Sequence, residues 1–339
     1  MSARIRIGGF TIAAFACAMI LGVAGPSFAA RAAQDAAPQA SGASAPAAEQ
    51  ALYSDRGAAT CMKCHDEAPV TDILKTPHAM KGDARTPFGQ HECESCHGPS
   101  QAHVASAPPP GQHKVRPNVV FVGPNASPAA ERNKVCLSCH ENGLRMNWKG
   151  GKHDKNEVAC NSCHTIHTTK DPVLVKATQP EKCFTCHATQ RAESFQYSHH
   201  PIREGLVVCS DCHNPHGSPG PKMLKEFTVN ETCYQCHADK RGPMMWEHQP
   251  VRDSCTNCHT PHGSTEPRLM KERMNFMCSS CHSGTAAYSG GSFGGAHAIP
   301  GNLLGTATFA AYLANQRMCL NCHSQIHGSN SPNGAYFFR

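Results

Sequence analysis

The sequence predicts an irregular fold, mostly short α-helices with little β, strung along a row of covalently held groups in five two-site repeats. Three observations predict it. The five-residue pattern Cys-x-x-Cys-His occurs ten times and uses 20 of the 21 cysteines. Of the 339 residues only 40% are hydrophobic and 6% aromatic, and 28 Gly and 25 Pro are spread through the chain, so little material is left for an ordinary apolar core. The boxes also recur in pairs at a repeating interval, as expected of a chain built from one small structural unit.

Cys-x-x-Cys-His is the attachment box of c-type haem. Its thiols form thioethers with the haem vinyl groups, and the adjacent histidine ligates the iron from one face. One copy alone could be a redox dithiol or half of a zinc site. Ten intact copies point to a multihaem cytochrome c with ten covalently bound haems. The first cysteines are Cys61, Cys93, Cys136, Cys160, Cys183, Cys209, Cys233, Cys255, Cys278 and Cys319. The second are Cys64, Cys96, Cys139, Cys163, Cys186, Cys212, Cys236, Cys258, Cys281 and Cys322. The proximal iron ligands are then His65, His97, His140, His164, His187, His213, His237, His259, His282 and His323. Each macrocycle is flat, large and apolar, and burial of such area drives folding. The haems are expected to form much of the core, and the chain to be unfolded without them.

Residues 1–29 read as a secretory signal. Arg4 and Arg6 form the positive start, Gly8 to Val23 the apolar stretch, and Ser27-Phe28-Ala29 a small-x-small cleavage site. An uncleaved anchor helix is the alternative, for which the stretch is short. Cys17 lies inside this run, outside any box. No second apolar run approaches spanning length, so an exported, soluble protein of the periplasm is expected. Haem attachment outside the cytoplasmic membrane agrees with that. Residues 30–52, rich in Ala, Pro, Ser and Gln, read as a disordered tether, and 53–339 as the decahaem domain. The formal charge of +6 loses Arg4 and Arg6 with the leader and is outweighed by two propionates per haem. The formal charge therefore gives no ground for a basic nucleic-acid surface, and no nucleic-acid partner is expected.

The repeats start near Cys61, Cys136, Cys183, Cys233 and Cys278, separated by 75, 47, 50 and 45 residues. Each has one extra histidine between its boxes and another after the second. In order these are His78 and His103, His153 and His167, His199 and His216, His248 and His262, His297 and His327. They supply one candidate distal ligand per haem. A six-coordinate iron changes shape little on reduction, which suits electron transfer, and a second histidine closes the site to substrate. His91 rivals His103, which lies six residues beyond its box. His199 is favoured over His200 because His199-His200-Pro201-Ile202-Arg203 aligns with His248-Gln249-Pro250-Val251-Arg252. A histidine three residues after a box cannot readily reach the far face of its own haem, so some distal ligands are expected to serve neighbouring haems. The 12 Met residues show no register with the boxes and are read as packing. Ala105 to Ala130, rich in Pro and Ala, reads as a surface insertion, and Gly290 to Thr308 as an elaborated loop.

From Tyr53 to Gly328 the chain resembles the periplasmic decahaem c-type cytochromes of the MtrA/DmsE family. The resemblance is carried by the ten boxes, by Cys93-Glu-Ser-Cys96-His97-Gly-Pro with His103 following, and by Glu131-Arg-Asn-Lys-Val-Cys136-Leu-Ser-Cys139-His140. His199-x-Pro-Ile-Arg with Cys209-Ser-Asp-Cys212-His213-Asn-Pro-His216-Gly completes it. It implies an elongated haem wire with bis-histidine irons, held in an outer-membrane β-barrel porin, sometimes with an extracellular multihaem cytochrome beyond and periplasmic or inner-membrane cytochromes as the other partners. Such a conduit would serve extracellular electron transfer, in metal reduction or Fe(II) oxidation. A soluble periplasmic carrier donating to a terminal reductase such as a DMSO reductase uses the same haem chemistry. A multihaem reductase enzyme needs at least one open iron, and ten candidate distal histidines weigh against it. No residue is nominated as catalytic.

Overall fold

A computed structural model describes residues 53–282, 319–321, 323–332 and 337, all within one unit, Ala47–Arg339. The expected leader and tether, the loop around 290–308, Cys322 and His297 lie outside the described residues. As the composition predicts, helices are short, the longest being the nine residues of Ala129–Leu137 and Met274–His282. Among the described residues there is no strand, and β pairing is confined to four isolated bridges. No helix there is long and apolar enough to cross a membrane. Proline sets much of this pattern. Pro77, Pro87, Pro172, Pro221 and Pro267 each open a three-residue 3-10 turn, where the missing N–H is no loss and the fixed φ starts the turn.

The two boxes of a repeat sit on different kinds of element. A helix approaching from the N-terminal side carries the first: Ala58–Cys61, Ala129–Leu137, Gln179–Phe184, Val229–Tyr234 and Met274–His282. The second is a single turn: Glu94–His97, Cys160–Cys163, Cys209–Cys212, Cys255–Asn257 and Cys319–Asn321. In the last four repeats the first-box helix packs on the second-box turn.

Buried asparagines join them. Asn230 donates from Nδ2 to the carbonyls of Val251 (2.9 Å) and Arg252 (3.0 Å) and accepts from the Cys255 N–H (2.7 Å). Asn133 does the same with Val158 (3.0 Å) and the Cys160 N–H (2.7 Å). Both stand three residues before a first cysteine. Asn230→Ala leaves backbone groups unpaired in a largely buried place and is expected to cost about 1–3 kcal/mol. Denaturation of the holoprotein would measure it against Asn257→Ala, whose exposed amide bonds only the Pro250 carbonyl and whose loss is expected to fall within about 0.5 kcal/mol.

Apolar packing is sparse. Eight apolar side chains are buried among the described residues, against sixteen large ones that are exposed. One small cluster forms, of Ala58, Ile73 and Phe88 with Ala79, Cys93 and Ile166 against it.

Candidate metal centres

Nine of the boxes close on themselves. The backbone N–H of the histidine donates to the carbonyl of the first cysteine at 2.9 to 3.1 Å, from His65 on Cys61 to His323 on Cys319, and the box of Cys278 lies within the helix Met274–His282. One helical turn thereby brings two sulfurs and one imidazole together from a five-residue stretch.

Nine box histidines face a second histidine ring. The pairs are His65–His103 (6.4 Å between ring centres), His97–His167 (6.5 Å), His140–His78 (6.0 Å), His164–His216 (6.0 Å) and His187–His153 (6.2 Å). His213–His262 (6.2 Å), His237–His200 (6.3 Å), His259–His327 (6.2 Å) and His282–His248 (6.3 Å) complete them. The spacing holds within 6.0–6.5 Å while the interplanar angle runs from 9° to 83°. Direct packing would couple the two, because edge-on and stacked rings approach to different distances. Tyr53 on His91 at 4.1 Å and Phe121 on His97 at 5.3 Å are such contacts. A shared metal fixes distance and leaves rotation about its axis free. With metal–nitrogen bonds of about 2 Å and ring centres about 1 Å behind the nitrogens, two rings on one metal stand about 6 Å apart. No cluster of three or more ligating side chains holds a bare ion among the described residues, so two axial imidazoles suit a metal whose other ligands arrive in a macrocycle. The buried, unpartnered Trp148 Nε1, with its ring 6.3 Å from that of His216, is a free donor beside one such place. The residues fit c-type haem.

The rings are oriented from behind. Nδ1 of His97 donates to the Val119 carbonyl, His103 to Val115, His153 to Pro215, His167 to Val70, His200 to Pro261, His213 to Lys222 and His259 to Arg268. His164 donates to the carboxylate of Asp171 at 2.6 Å, and the carboxylate of Glu193 stands 3.2 Å from Nδ1 of His262. Fixing Nδ1–H in this way leaves Nε2 as the free lone pair. Burial holds His97, His140, His213, His216, His248 and His327 below the usual imidazole range, which favours the neutral, ligating form.

Every expected distal histidine among the described residues faces a box except one. His199 spends Nδ1 on the Gln196 carbonyl (2.8 Å) and Nε2 on Glu204 (3.3 Å), and its neighbour His200 faces His237. The reason is register. Ser198 pairs with Ser264 in a β-bridge, and Trp246 with Ser329 in the equivalent one. Counted from the bridge, His200 and His248 each lie two residues on; counted from the proline, as the sequence alignment counts, the match slips by one. His91 stacks on Tyr53, and His103 takes the place opposite His65. The same bridges aim a second histidine each, since His262 and His327 lie two residues before Ser264 and Ser329. Gly217, at φ +100°, just after His216, and Gly263, just after His262, let the backbone pass where a Cβ would collide with the Asn147 and Glu193 carbonyls.

The segment expected as a surface insertion also serves the site. Its Val115 and Val119 carbonyls hold His103 and His97, and its Phe121 carbonyl accepts from Arg132 (3.1 Å) and Asn161 (2.8 Å). Nothing in its Ala/Pro-rich sequence signals this, because any residue offers a carbonyl. The Asn three residues before Cys136 and Cys233 was a readable signal that the box pattern overshadowed.

The neighbourhood of the sulfurs follows the chain. The thiols here occupy the places of thioether sulfurs. First cysteines are near enough to perturb each other within each pair of boxes: Cys61 with Cys93, Cys136 with Cys160, Cys183 with Cys209, Cys233 with Cys255, Cys278 with Cys319. In each pair one thiol is pulled down and its partner pushed up. Second cysteines, raised first by burial, also feel each other across successive pairs: Cys96 and Cys139, Cys163 and Cys186, Cys212 and Cys236, Cys258 and Cys281. The boxes therefore adjoin one another in chain order.

The sequence is similar to those of known cytochromes. Residues 199–242 and 248–287 match the doubled CXXCH motif family, and residues 93–177 match the NrfB-like cytochrome c-type family. The chain is 43% identical over 287 residues to the multiheme cytochrome MtrA of Shewanella baltica (strain OS185), covering 83% of this chain and 81% of that protein. It is 31% identical over 140 residues to the cytochrome c-type protein NrfB of Escherichia coli O6:H1, covering 39% of this chain and 66% of that one.

Proposed function

The chain belongs to the family of the multihaem cytochrome MtrA, electron-transfer proteins with covalently bound c-type haems, and we propose that it carries electrons along a row of ten bis-histidine haems through an outer-membrane β-barrel partner. The observation that carries this reading is the set of nine facing histidine pairs at one spacing. In this reading residues 1–29 export the chain to the periplasm, 30–52 tether it, and 53–339 form the decahaem domain.

The proximal ligands are the ten box histidines, and the distal ones are His103, His167, His78, His216, His153, His262, His200, His327 and His248. They follow one rule. The histidine between the boxes of one repeat serves the first site of the next repeat. The histidine after the boxes serves the second site of the previous repeat. At the ends the rule lacks a neighbour. His103 turns back to His65, and by the same logic His297 closes the site of His323.

When bound, each haem supplies a one-electron Fe(III)/Fe(II) couple. The chain holds each iron from both faces, fixes the imidazoles through Nδ1, and leaves no coordination position for a substrate, so transfer rather than catalysis is the activity. The direction of flow and the far acceptor are set by the partners.

Tagged protein drawn from native outer membranes is expected to bring down a β-barrel, and vesicles holding that pair to pass electrons from an external reductant to an enclosed acceptor. Recovery of the tagged chain solely as a free periplasmic protein would sink the conduit and leave the diffusing carrier.

A further inference from the structure

The second-box histidines of the three middle repeats are an internal comparison. His213 and His259 each donate Nδ1–H to a carbonyl nine residues on, Lys222 (3.1 Å) and Arg268 (2.9 Å). Both acceptors sit in the left-handed region, at φ 52° and 60°, inside the turns Pro221–Met223 and Pro267–Leu269. His164 has a corresponding turn, Pro172–Leu174. Its Nδ1 instead meets the carboxylate of Asp171 at 2.6 Å. The other carboxylate oxygen accepts the N–H of Thr165 (3.2 Å) and of Val173 (3.4 Å). The Asp171 side chain is 12% exposed, so water screens this contact little. Glu193 on His262 is longer, at 3.2 Å, and a third exposed.

We propose that Asp171 tunes the iron site of His164 and His216, holding its reduction potential lower than a neutral acceptor would, so that the row contains a built step near its middle. The proposal rests on these histidines being axial ligands. An anionic acceptor on Nδ1–H makes the imidazole a stronger donor. That favours Fe(III) over Fe(II), and hydrogen bonding behind the ligand is a recognised lever on potential. Asp171 acts through His164 and is a positioning residue. Carbonyl acceptors held at Lys222 and Arg268 give the other two sites a weaker pull. An electron crossing the fourth site is therefore the least stabilised in its stretch of the row.

Asp171→Asn keeps the cap of the Pro172 turn through its one acceptor oxygen, held by the Thr165 and Val173 N–H groups, and takes away both the charge and the second oxygen that faces His164. In redox titrations of the intact holoprotein followed by absorbance, the difference between wild type and D171N is expected to show one site moved upward. Its Fe(II)/Fe(III) ratio at a given solution potential should rise about tenfold, or about 59 mV for one electron, with the low-spin spectrum unchanged. Asp171→Glu is expected to restore the lower potential. Superimposable titrations of fully loaded D171N and wild type overturn the proposal. So does loss of one haem from D171N, which would make Asp171 an assembly residue. A high-spin share in the resting wild type would instead sink the ligation on which the proposal stands.

Discussion

Made without haem attachment, the chain is expected to be unfolded, with far-ultraviolet circular dichroism of a coil and rapid digestion by protease throughout. Its local structure cannot stand alone. The longest described helices have nine residues, fewer than the roughly 12–15 an isolated helix needs in water. The four bridges are single rungs, and a lone hairpin is already marginal. Eight buried apolar side chains among the described residues do not offset the ordering of the about 240 residues they belong to. What links distant segments is the pairing of histidines: His97 with His167, His164 with His216, His213 with His262. Each such link spans two repeats, so the expected losses are graded by position. Replacing Cys183 and Cys186 by Ser in the middle should disrupt more of the fold than replacing Cys61 and Cys64 at the start, where His65 and His103 lie in one repeat. A haem-free chain with native helix content would show that the polypeptide holds itself, and the view of haem as the core would fall.

Much of this was legible in the sequence, and for a physical reason. Covalent attachment needs a fixed local motif, so the boxes are readable one by one, and their pairing follows from spacing. Short helices follow from the density of Gly and Pro. The facing histidines are different. The ring opposite a box is set by a fold that brings His167 to Val70, 97 residues away, and no local rule encodes that meeting. The rule linking between-box and after-box histidines to neighbouring repeats needs three-dimensional neighbours. The oriented carbonyls of Val115, Val119 and Val70 are invisible in sequence because they are backbone. Asp171 could be found only by comparing the repeats at the same depth in the structure.

The exchange of His199 for His200 carries the other large expected effect. His200→Leu is expected to open one iron: a high-spin signal of about one site in the row, and binding of carbon monoxide or cyanide that the wild type refuses. His199→Leu is expected to keep every iron low-spin and closed, although it lies one residue away and aligns with the ligand of the next repeat. The difference is directional. The bridge of Ser198 with Ser264, at 2.9 and 2.7 Å, fixes the backbone, and neighbours in an extended stretch point to opposite sides. One imidazole is then aimed at His237 with its Nδ1 on the Pro261 carbonyl, and the other back toward Glu204. Leucine at 199 forfeits two contacts within its own loop, to the Gln196 carbonyl and to Glu204, whereas leucine at 200 removes the ring that faces His237 together with a tie between two repeats. Equal high-spin yields from the two variants would show that either histidine can reach the iron and that the bridge does not set the register. An opened site also tests why the row is closed. If the variant gains turnover of a small molecule that the parent lacks, then the second histidines are what separate a wire from a catalyst on this scaffold.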